Sequence, residues 1–404
     1  MADGEWRSNP VYNRLWPEQA LDFWGKLPDK VGIQIVWSGR HDRDYLKLAD
    51  EYYHAAYRLA TEVVQSGHDN VKDDMWFMAT LFMFRQSLEL LLKAKLYTII
   101  KSKPTIQAMF QDLKHRISAL LEEIHVRGGL DNIPENERRW LIAYIKNCEY
   151  WDGNSTLFRY PLTPEFLGSK PPRSVDVFWT ADKLVIAYAI LRCTFPNNEE
   201  YRDEVPTNFP NPIFFTTAAS GTGNFYLEGL TSFSRGKNNY YPIIRGYLEV
   251  SEFLISTEPE TQVPKTFFPE LFTLRHLVEL ELKQLASSPY SEIEALGCNL
   301  NSHYVYSAYW KKIRPIIERQ NDDSVPKTVG DNVDHFLKQL QAVDKQSDFF
   351  RYPSGYNHEY HKLPRKVDPN NIEICVRALT NMFEGCDGMF SEFAEYEAEE
   401  RKYY

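Results

Sequence analysis

The stretch D-G-N-S-T-L-F-R-Y-P, residues 152–161, has a second copy, D-K-Q-S-D-F-F-R-Y-P, at residues 344–353. Ten residues beyond each copy, P-R-S-V-D at 172–176 is matched by P-R-K-V-D at 364–368. The shared residues lie 192 positions apart, and agreement of so many residues in one register is not expected by chance. We therefore predict a tandem duplication, and we call residues 152–161 and 344–353 the first and second FRYP loops.

An apolar helix with a row of charges precedes each FRYP loop. An arginine, a glutamate and a lysine are spaced four residues apart, which places them one turn apart on one helix face. Their neighbours are mostly Leu and Phe, so a buried member of the row needs an oppositely charged partner. The row and the aspartate that begins the loop either clamp the structure or share a site with a ligand. These residues are Arg85, Glu89, Lys93 and Asp152 in the first copy and Arg275, Glu279, Lys283 and Asp344 in the second.

Helical periodicity divides the chain into two units of similar order. We predict an N-terminal arm (1–44) with a short strand at 31–37, a first unit (45–195), a connector rich in Pro and aromatic residues (196–240) with a small hairpin at 220–224, and a second unit (241–404). The predicted helices cover about 45–66, 72–101, 105–126, 135–150 and 175–193, then 241–256, 267–287, 300–319, 330–345 and 369–402.

Composition narrows the class of protein. A length of 404 residues allows two or three domains, and the net charge of −10 argues against a broad phosphate-binding surface but allows a local basic groove. No apolar run is long enough to span a bilayer, and the N-terminus has no signal-peptide pattern. The five cysteines are scattered and form no Cys-x-x-Cys pair. They indicate a reduced, cytoplasmic protein.

The FRYP loops carry the side chains with the clearest chemical options. Arg159 and Arg351 are either stacked and paired within the fold or presented to a phosphate. His358 follows the second loop, where the first copy has Phe166, and is a candidate general acid or base. No metal-ligand set, phosphate loop, dinucleotide fingerprint or nucleophile elbow is present in the sequence.

The order of these motifs resembles the HEPN superfamily of bacterial helical proteins. The likeness lies in an early helix with R-x3-E-x3-K, a following helix with a histidine, and a D-x2-S-x2-F-R-Y-P loop before a last helix. His115 and His303 supply the histidines when a two-residue shift is allowed. The resemblance covers about 45–195 and 241–400, and it implies two all-α bundles that form an internal pseudo-dimer.

The resemblance also implies a function. Many HEPN proteins are metal-independent ribonucleases of toxin–antitoxin, CRISPR and anti-phage systems, and their Arg-x(4–6)-His motifs meet across a two-fold dimer. Arg351 and His358 fit that spacing here, with Arg159 expected to face them from the first unit, which has no matching histidine. Histidine and arginine can act on a 2′-OH and a scissile phosphate without a metal. The expected partner is RNA, and no cofactor is expected.

Two hypotheses follow from these patterns. In the first, the chain cleaves or binds RNA in a prokaryotic defence system. In the second, the same fold lacks catalysis and serves as a scaffold or sensing subunit for a protein partner or a homo-oligomer. The acidic charge and the Pro and Gly between Arg351 and His358 favour the second, whereas the resemblance favours the first. Whether the chain is an enzyme stays open at this point.

Overall fold

The computed structural model describes residues 16–17, 21–28, 30–67, 72–160, 174–218, 225–226, 240–256, 265–321 and 326–403. These residues are mostly helical, with almost no strand, so the prediction of an all-α fold class is confirmed. Within this described part of the chain, no helix has both the length and the apolar character that a bilayer span requires.

The first half of the chain contains seven of the described helices and two short strands. In chain order they are α1 (His41–Gln65), a π-helical turn (Lys72–Trp76), α2 (Phe77–Ile99), α3 (Lys103–Leu113), α4 (Ile117–Val126), α5 (Glu135–Trp151), β1 (Ser174–Val175), α6 (Val177–Arg192), α7 (Glu199–Arg202) and β2 (Phe225–Tyr226). β1 and β2 pair antiparallel, with Ser174 opposite Tyr226.

The second half of the chain repeats the order of the long helices. Its elements are α8 (Tyr241–Ser256), α9 (Phe267–Ala286), α10 (Ser291–Glu294), a second π-helical turn (Val305–Trp310), α11 (Lys311–Gln320), α12 (Thr328–Val343) and α13 (Pro369–Tyr403). The predicted helix at 241–256 has the bounds of α8, and most other predicted ends lie within a few residues of the observed ones.

α2 and α9 form the centre of the core. Every side chain from Phe77 to Lys93, and every one from Phe267 to Lys283, is buried. Helices that are apolar around most of their circumference have to be surrounded by other elements, and the amphipathic helix α1 covers α2 with its apolar face. Phe82 of α2 stacks on Phe272 of α9 with ring centroids 4.5 Å apart, so the two central helices meet in the middle of the core.

The predicted third helix at 105–126 is wrong, because the structure has two helices in this range. α3 ends at Leu113 and Lys114 has a φ of +51°, which an L-residue cannot adopt within a right-handed helix. α4 begins at Ile117. His115 therefore lies in a break between two helices, where its side chain is free to turn toward α2.

The second histidine also lies outside a helix. The predicted helix at 300–319 starts later, with the π-helical turn at Val305, and His303 precedes that turn. The carbonyl oxygen of His303 accepts a hydrogen bond of 2.8 Å from Arg275 Nη2. This hydrogen bond holds the segment around His303 against α9. Both His115 and His303 thus lie in non-helical segments next to a central helix.

The described part of the N-terminal arm packs on the second unit. The predicted strand at 31–37 is wrong, since only Ile33 pairs, through an isolated bridge to Val367. Phe23 contacts Phe336 at 6.2 Å between ring centroids, and its backbone N–H bonds the side chain of Gln339. These contacts anchor the arm through side chains instead of a strand ladder.

The connector packs on the first unit over its described part. Phe214 is fully buried and stacks on Phe158 of the first FRYP loop at 5.6 Å between ring centroids. The indole N–H of Trp140 donates to the carbonyl of Pro210 at 2.6 Å. The predicted hairpin at 220–224 lies outside the described residues.

Candidate functional site

The charge row of α2 forms a buried ionic network. Glu89 is ion-paired with Arg85, and its Oε1 lies 2.7 Å from Lys93 Nζ and 3.0 Å from His115 Nδ1. Asp152, the first residue of the first FRYP loop, lies 3.5 Å from Arg85 Nε. Arg85, Glu89, Lys93 and Asp152 are each at most 2% exposed, so the predicted row and its aspartate form one network inside the protein.

The charge row of α9 makes the same contacts. Glu279 is ion-paired with Arg275, and its Oε1 lies 2.8 Å from Lys283 Nζ and 2.9 Å from His303 Nδ1. Asp344 of the second FRYP loop lies 3.2 Å from Arg275 Nε. Each loop thus begins by completing the network of the charge row that precedes it in the chain.

The tyrosine near the end of each FRYP loop contacts the ionic network of the other unit. The hydroxyl of Tyr352, in the second loop, donates to Glu89 Oε1 at 2.8 Å. The hydroxyl of Tyr160, in the first loop, donates to Glu279. The lysine ammonium of each network lies over the ring of the same tyrosine, at 4.6 Å for Lys93 and 3.9 Å for Lys283. The tyrosine of each loop therefore binds the charge row of the other unit.

The central glutamates are charged. Burial alone would raise the pKa of Glu89, but Lys93, His115 and Arg85 outweigh it and hold the pKa well below its usual range. The pKa of Glu279 is also held well below its usual range, because its own arginine, lysine and histidine outweigh burial. A buried carboxylate with several donors is strongly stabilised only while those donors stay in place.

A cavity of about 480 Å³ lies between the two FRYP loops. Its volume is within the range of roughly 300–1,000 Å³ that small-molecule sites occupy. Residues of both units line it, and they include both loop arginines and both network histidines. The ionisable lining residues of the networks and loops include Lys93, His115, Arg159, His303, Asp348, Arg351 and Tyr352.

The two histidines line the cavity, and a buried glutamate engages one ring nitrogen of each. Nδ1 of His115 and Nδ1 of His303 are bonded to a buried glutamate, and the side chains are 26% and 31% exposed. Nε2, on the other side of each ring, has no hydrogen bond to the described part of the chain. Burial lowers the pKa of His115, against the opposing effect of Glu89. A neutral imidazole oriented by a carboxylate is suited to accept a proton through Nε2.

Arg159 and Arg351 both lie near one aromatic ring of α2. Both are at most 4% exposed, and both guanidinium groups lie over the ring of Phe82, at 5.9 Å and 5.6 Å from its centroid. Both line the cavity. That Arg159 faces Arg351 and His358 stays a prediction, because only the two arginines belong to the described cavity lining.

His358 lies away from the cavity lining. Its Nδ1 is 2.8 Å from the hydroxyl of Tyr97, and its Nε2 is 3.1 Å from the carbonyl oxygen of Lys103. Its backbone has a φ of +60°, in the left-handed region. Both ring nitrogens are thus engaged with the end of α2 and the start of α3, and the structure does not place His358 beside Arg351 in the cavity.

Four residues of the cavity and its networks were absent from the predicted site. Tyr160 and Tyr352 were given no role in the sequence-based site. His115 and His303 were matched in sequence, but nothing in their spacing indicated a shared cavity. The matched position of each histidine after its charge row was the signal that could have led to them. Among the described residues, no group of three or more His, Cys, Asp or Glu is placed to hold a metal ion.

These observations define a mostly helical protein with an internal sequence repeat, in which two equivalent loops line a shared cavity. Comparison with known proteins found no matching family model, no similar curated protein and no similar solved structure. The contacts of the cavity itself carry the functional interpretation.

Proposed function

We propose that the chain is a HEPN-like protein of a prokaryotic defence system, with its two units packed as an internal pseudo-dimer, and that it binds and cleaves RNA in the cavity between the FRYP loops without a metal. One observation carries this proposal. Two histidines, each oriented by a buried glutamate, share one cavity with two arginines.

These side chains match the needs of metal-free RNA cleavage. One imidazole Nε2 takes the proton of a ribose 2′-OH, and the 2′-oxygen attacks phosphorus. The second imidazole, protonated, gives its proton to the leaving 5′-oxygen as the P–O5′ bond breaks. The products are a 2′,3′-cyclic phosphate and a 5′-OH end. A nearby arginine stabilises the charge that develops on the phosphoryl oxygens.

The roles follow from the lining of the cavity. His115 and His303 act as the acid–base pair, and either can serve as the base because their contacts are equivalent. Arg159 and Arg351 supply positive charge on the phosphate side. His358 stays a sequence-based candidate, and its engagement with Tyr97 argues for a structural part.

The second candidate function is a catalytically inactive scaffold or sensing subunit that binds a protein partner. The observation that favours it is the depth of both ionic networks. Arg85, Glu89, Arg275 and Glu279 have no exposed surface in their side chains, as expected of residues whose task is to hold loops in place. In that case the histidines orient the loops and perform no chemistry.

The decisive experiment is an RNA-cleavage assay on the full chain in excess EDTA, with a mixture of single-stranded oligonucleotides. We expect wild-type cleavage to yield cyclic phosphate ends. His115→Ala and His303→Ala should each lower the rate by about 10²–10⁴-fold, the usual contribution of a general acid or base. His335→Ala is the matched control, because His335 is an exposed histidine on α12.

The outcomes separate the candidates. Cleavage that survives both His115→Ala and His303→Ala but is lost in His358→Ala would move the chemistry to His358. Absence of cleavage in the wild type, with the fold intact by circular dichroism, would favour the scaffold function. Equal activity in all variants would indicate a contaminating nuclease and would refute this cavity as the active site.

A further inference from the structure

The equivalent positions 86 on α2 and 276 on α9, which contact the FRYP arginines, carry different residues. Gln86 Nε2 donates to the carbonyl oxygen of Arg351 at 3.0 Å, and His276 Nε2 lies 3.3 Å from the carbonyl oxygen of Arg159. Both side chains thus hold the backbone of an FRYP arginine from the other unit. The backbone contact is the same in the two halves, although the residue types differ.

Only glutamine also binds the side chain of the arginine. Gln86 Oε1 accepts hydrogen bonds from Arg351 Nε at 3.3 Å and Nη2 at 3.1 Å. His276 has no oxygen to play this part, and its Nδ1 is buried without a hydrogen-bond partner in the described structure. The guanidinium group of Arg351 is therefore held by the residue at position 86, whereas the residue at position 276 holds only the backbone of Arg159.

A second contact is missing in the same half. Arg351 Nη2 donates to the hydroxyl of Ser155 at 3.2 Å. The equivalent hydroxyl, of Ser347, is buried without a partner among the described residues. Arg159 donates through Nε to the carbonyl of Ser155 at 2.9 Å, while its Nη1 is buried and unpaired within the described chain. Arg159 is 4% exposed and lines the cavity, so this donor is enclosed by protein.

The charge of Arg159 is also incompletely compensated. Burial and the neighbouring Arg351 lower the pKa of Arg159, whereas the pKa of Arg351 is raised, because Tyr352 and Glu89 outweigh its burial. A buried positive charge without a counter-charge is costly, and an anion in the cavity beside the Arg159 guanidinium would lower that cost. Guanidinium groups bind phosphate-type oxyanions through paired N–H donors.

We propose that Arg159 is the anion-binding arginine of the cavity, that its ligand is a tetrahedral phosphate-type oxyanion, free or as an ester, and that Arg351 positions the loops. Gln86 binds the guanidinium group of Arg351, whereas His276 leaves that of Arg159 able to bind the anion. The proposal rests on the cavity being the ligand site of the proposed function, but not on cleavage.

The test is a titration of the full chain with inorganic phosphate, followed by isothermal calorimetry and by ³¹P NMR, at constant ionic strength set with chloride. We expect saturable binding to the wild type. Arg159→Gln should weaken it by about tenfold or more, the equivalent of one charge-assisted hydrogen bond. His276→Gln supplies the missing acceptor and should weaken phosphate binding, because the new amide oxygen accepts a hydrogen bond from the Arg159 guanidinium. Gln86→His releases Arg351 and should strengthen binding.

Stability gives a second readout. In phosphate-free buffer, Arg159→Gln should unfold at the same denaturant concentration as the wild type or higher, because it removes an uncompensated buried charge. Arg351→Gln should unfold earlier, since it breaks contacts to Gln86 and Ser155. Phosphate binding that is unchanged in both Arg159→Gln and His276→Gln, or no saturable binding by the wild type, would overturn the proposal. Phosphate binding without RNA cleavage would refute the nuclease and leave the anion site standing.

Discussion

Replacement of Tyr160 by phenylalanine removes one hydroxyl and leaves the ring in place. That hydroxyl donates to Glu279, a carboxylate with no exposed side-chain surface, in the network of the other unit. The change therefore tests the exchange of tyrosines between the two networks without altering the volume of the core. Tyr352→Phe is the equivalent change at Glu89.

The expected loss follows from the type of bond. A hydrogen bond to a charged group contributes about 1.5–3 kcal/mol to stability. Glu279 keeps Arg275, Lys283 and His303 as partners, so its charge does not become unpaired. We therefore expect each variant to lower the free energy of unfolding by about 1.5–3 kcal/mol. The contact of the lysine with the aromatic face is retained, because phenylalanine presents the same face.

The assay is chemical denaturation of the full chain followed by circular dichroism. Tyr144→Phe is the matched control, since Tyr144 is fully buried on α5 and its hydroxyl has no hydrogen-bond partner in the described structure. Loss of that hydroxyl should leave stability unchanged or slightly higher. A loss below about 0.5 kcal/mol, the usual range of a neutral surface substitution, in Tyr160→Phe and Tyr352→Phe alike would refute the exchanged hydrogen bonds.

Two further predictions concern packing and pH. A Cβ at Gly246 would lie 2.0 Å from the carbonyl oxygen of Met75. In denaturant titrations, Gly246→Ala should therefore lower the free energy of unfolding by about 1–3 kcal/mol. Gly388→Ala is the control and should be neutral or stabilising, because a Cβ at Gly388 would have no atom within 4 Å. Burial, opposed by Lys47, raises the pKa of Glu51 to about 8. Because the folded state holds this proton more tightly than the unfolded state, stability should fall as pH rises from about 5 to about 8, and Glu51→Gln should flatten that slope in thermal melts.

Local pattern was enough to predict most of the long helices and the partners within each charge row. The four-residue spacing of Arg85, Glu89 and Lys93 determines which side chains share a helix face, and the apolar surroundings determine that they are buried. The repeated aspartates were also placed correctly as partners, because each begins a loop that follows its own row. These are relations between residues close in the chain or fixed by the repeat.

The exchange between units could not be predicted from the same data. A repeat shows that two segments are equivalent, but it does not say whether Tyr160 turns to its own row or to the other one. His115 was placed inside a helix because lysine at position 114 is not a helix-breaking residue type, whereas Lys114 has a φ of +51° in the structure. His358 was selected by its spacing from Arg351, and linear spacing does not place a side chain beside another when a turn lies between them.

The exchanged tyrosines have a consequence for how the chain folds. Each central glutamate accepts one hydrogen bond from the loop of the other unit. A chain with only one folded unit would therefore contain a buried carboxylate that lacks this hydrogen bond. An intermediate with one finished half is thereby disfavoured, although each half is large enough for a core of its own. The duplicated halves are thus thermodynamically interdependent, and the chain should unfold in one transition instead of two.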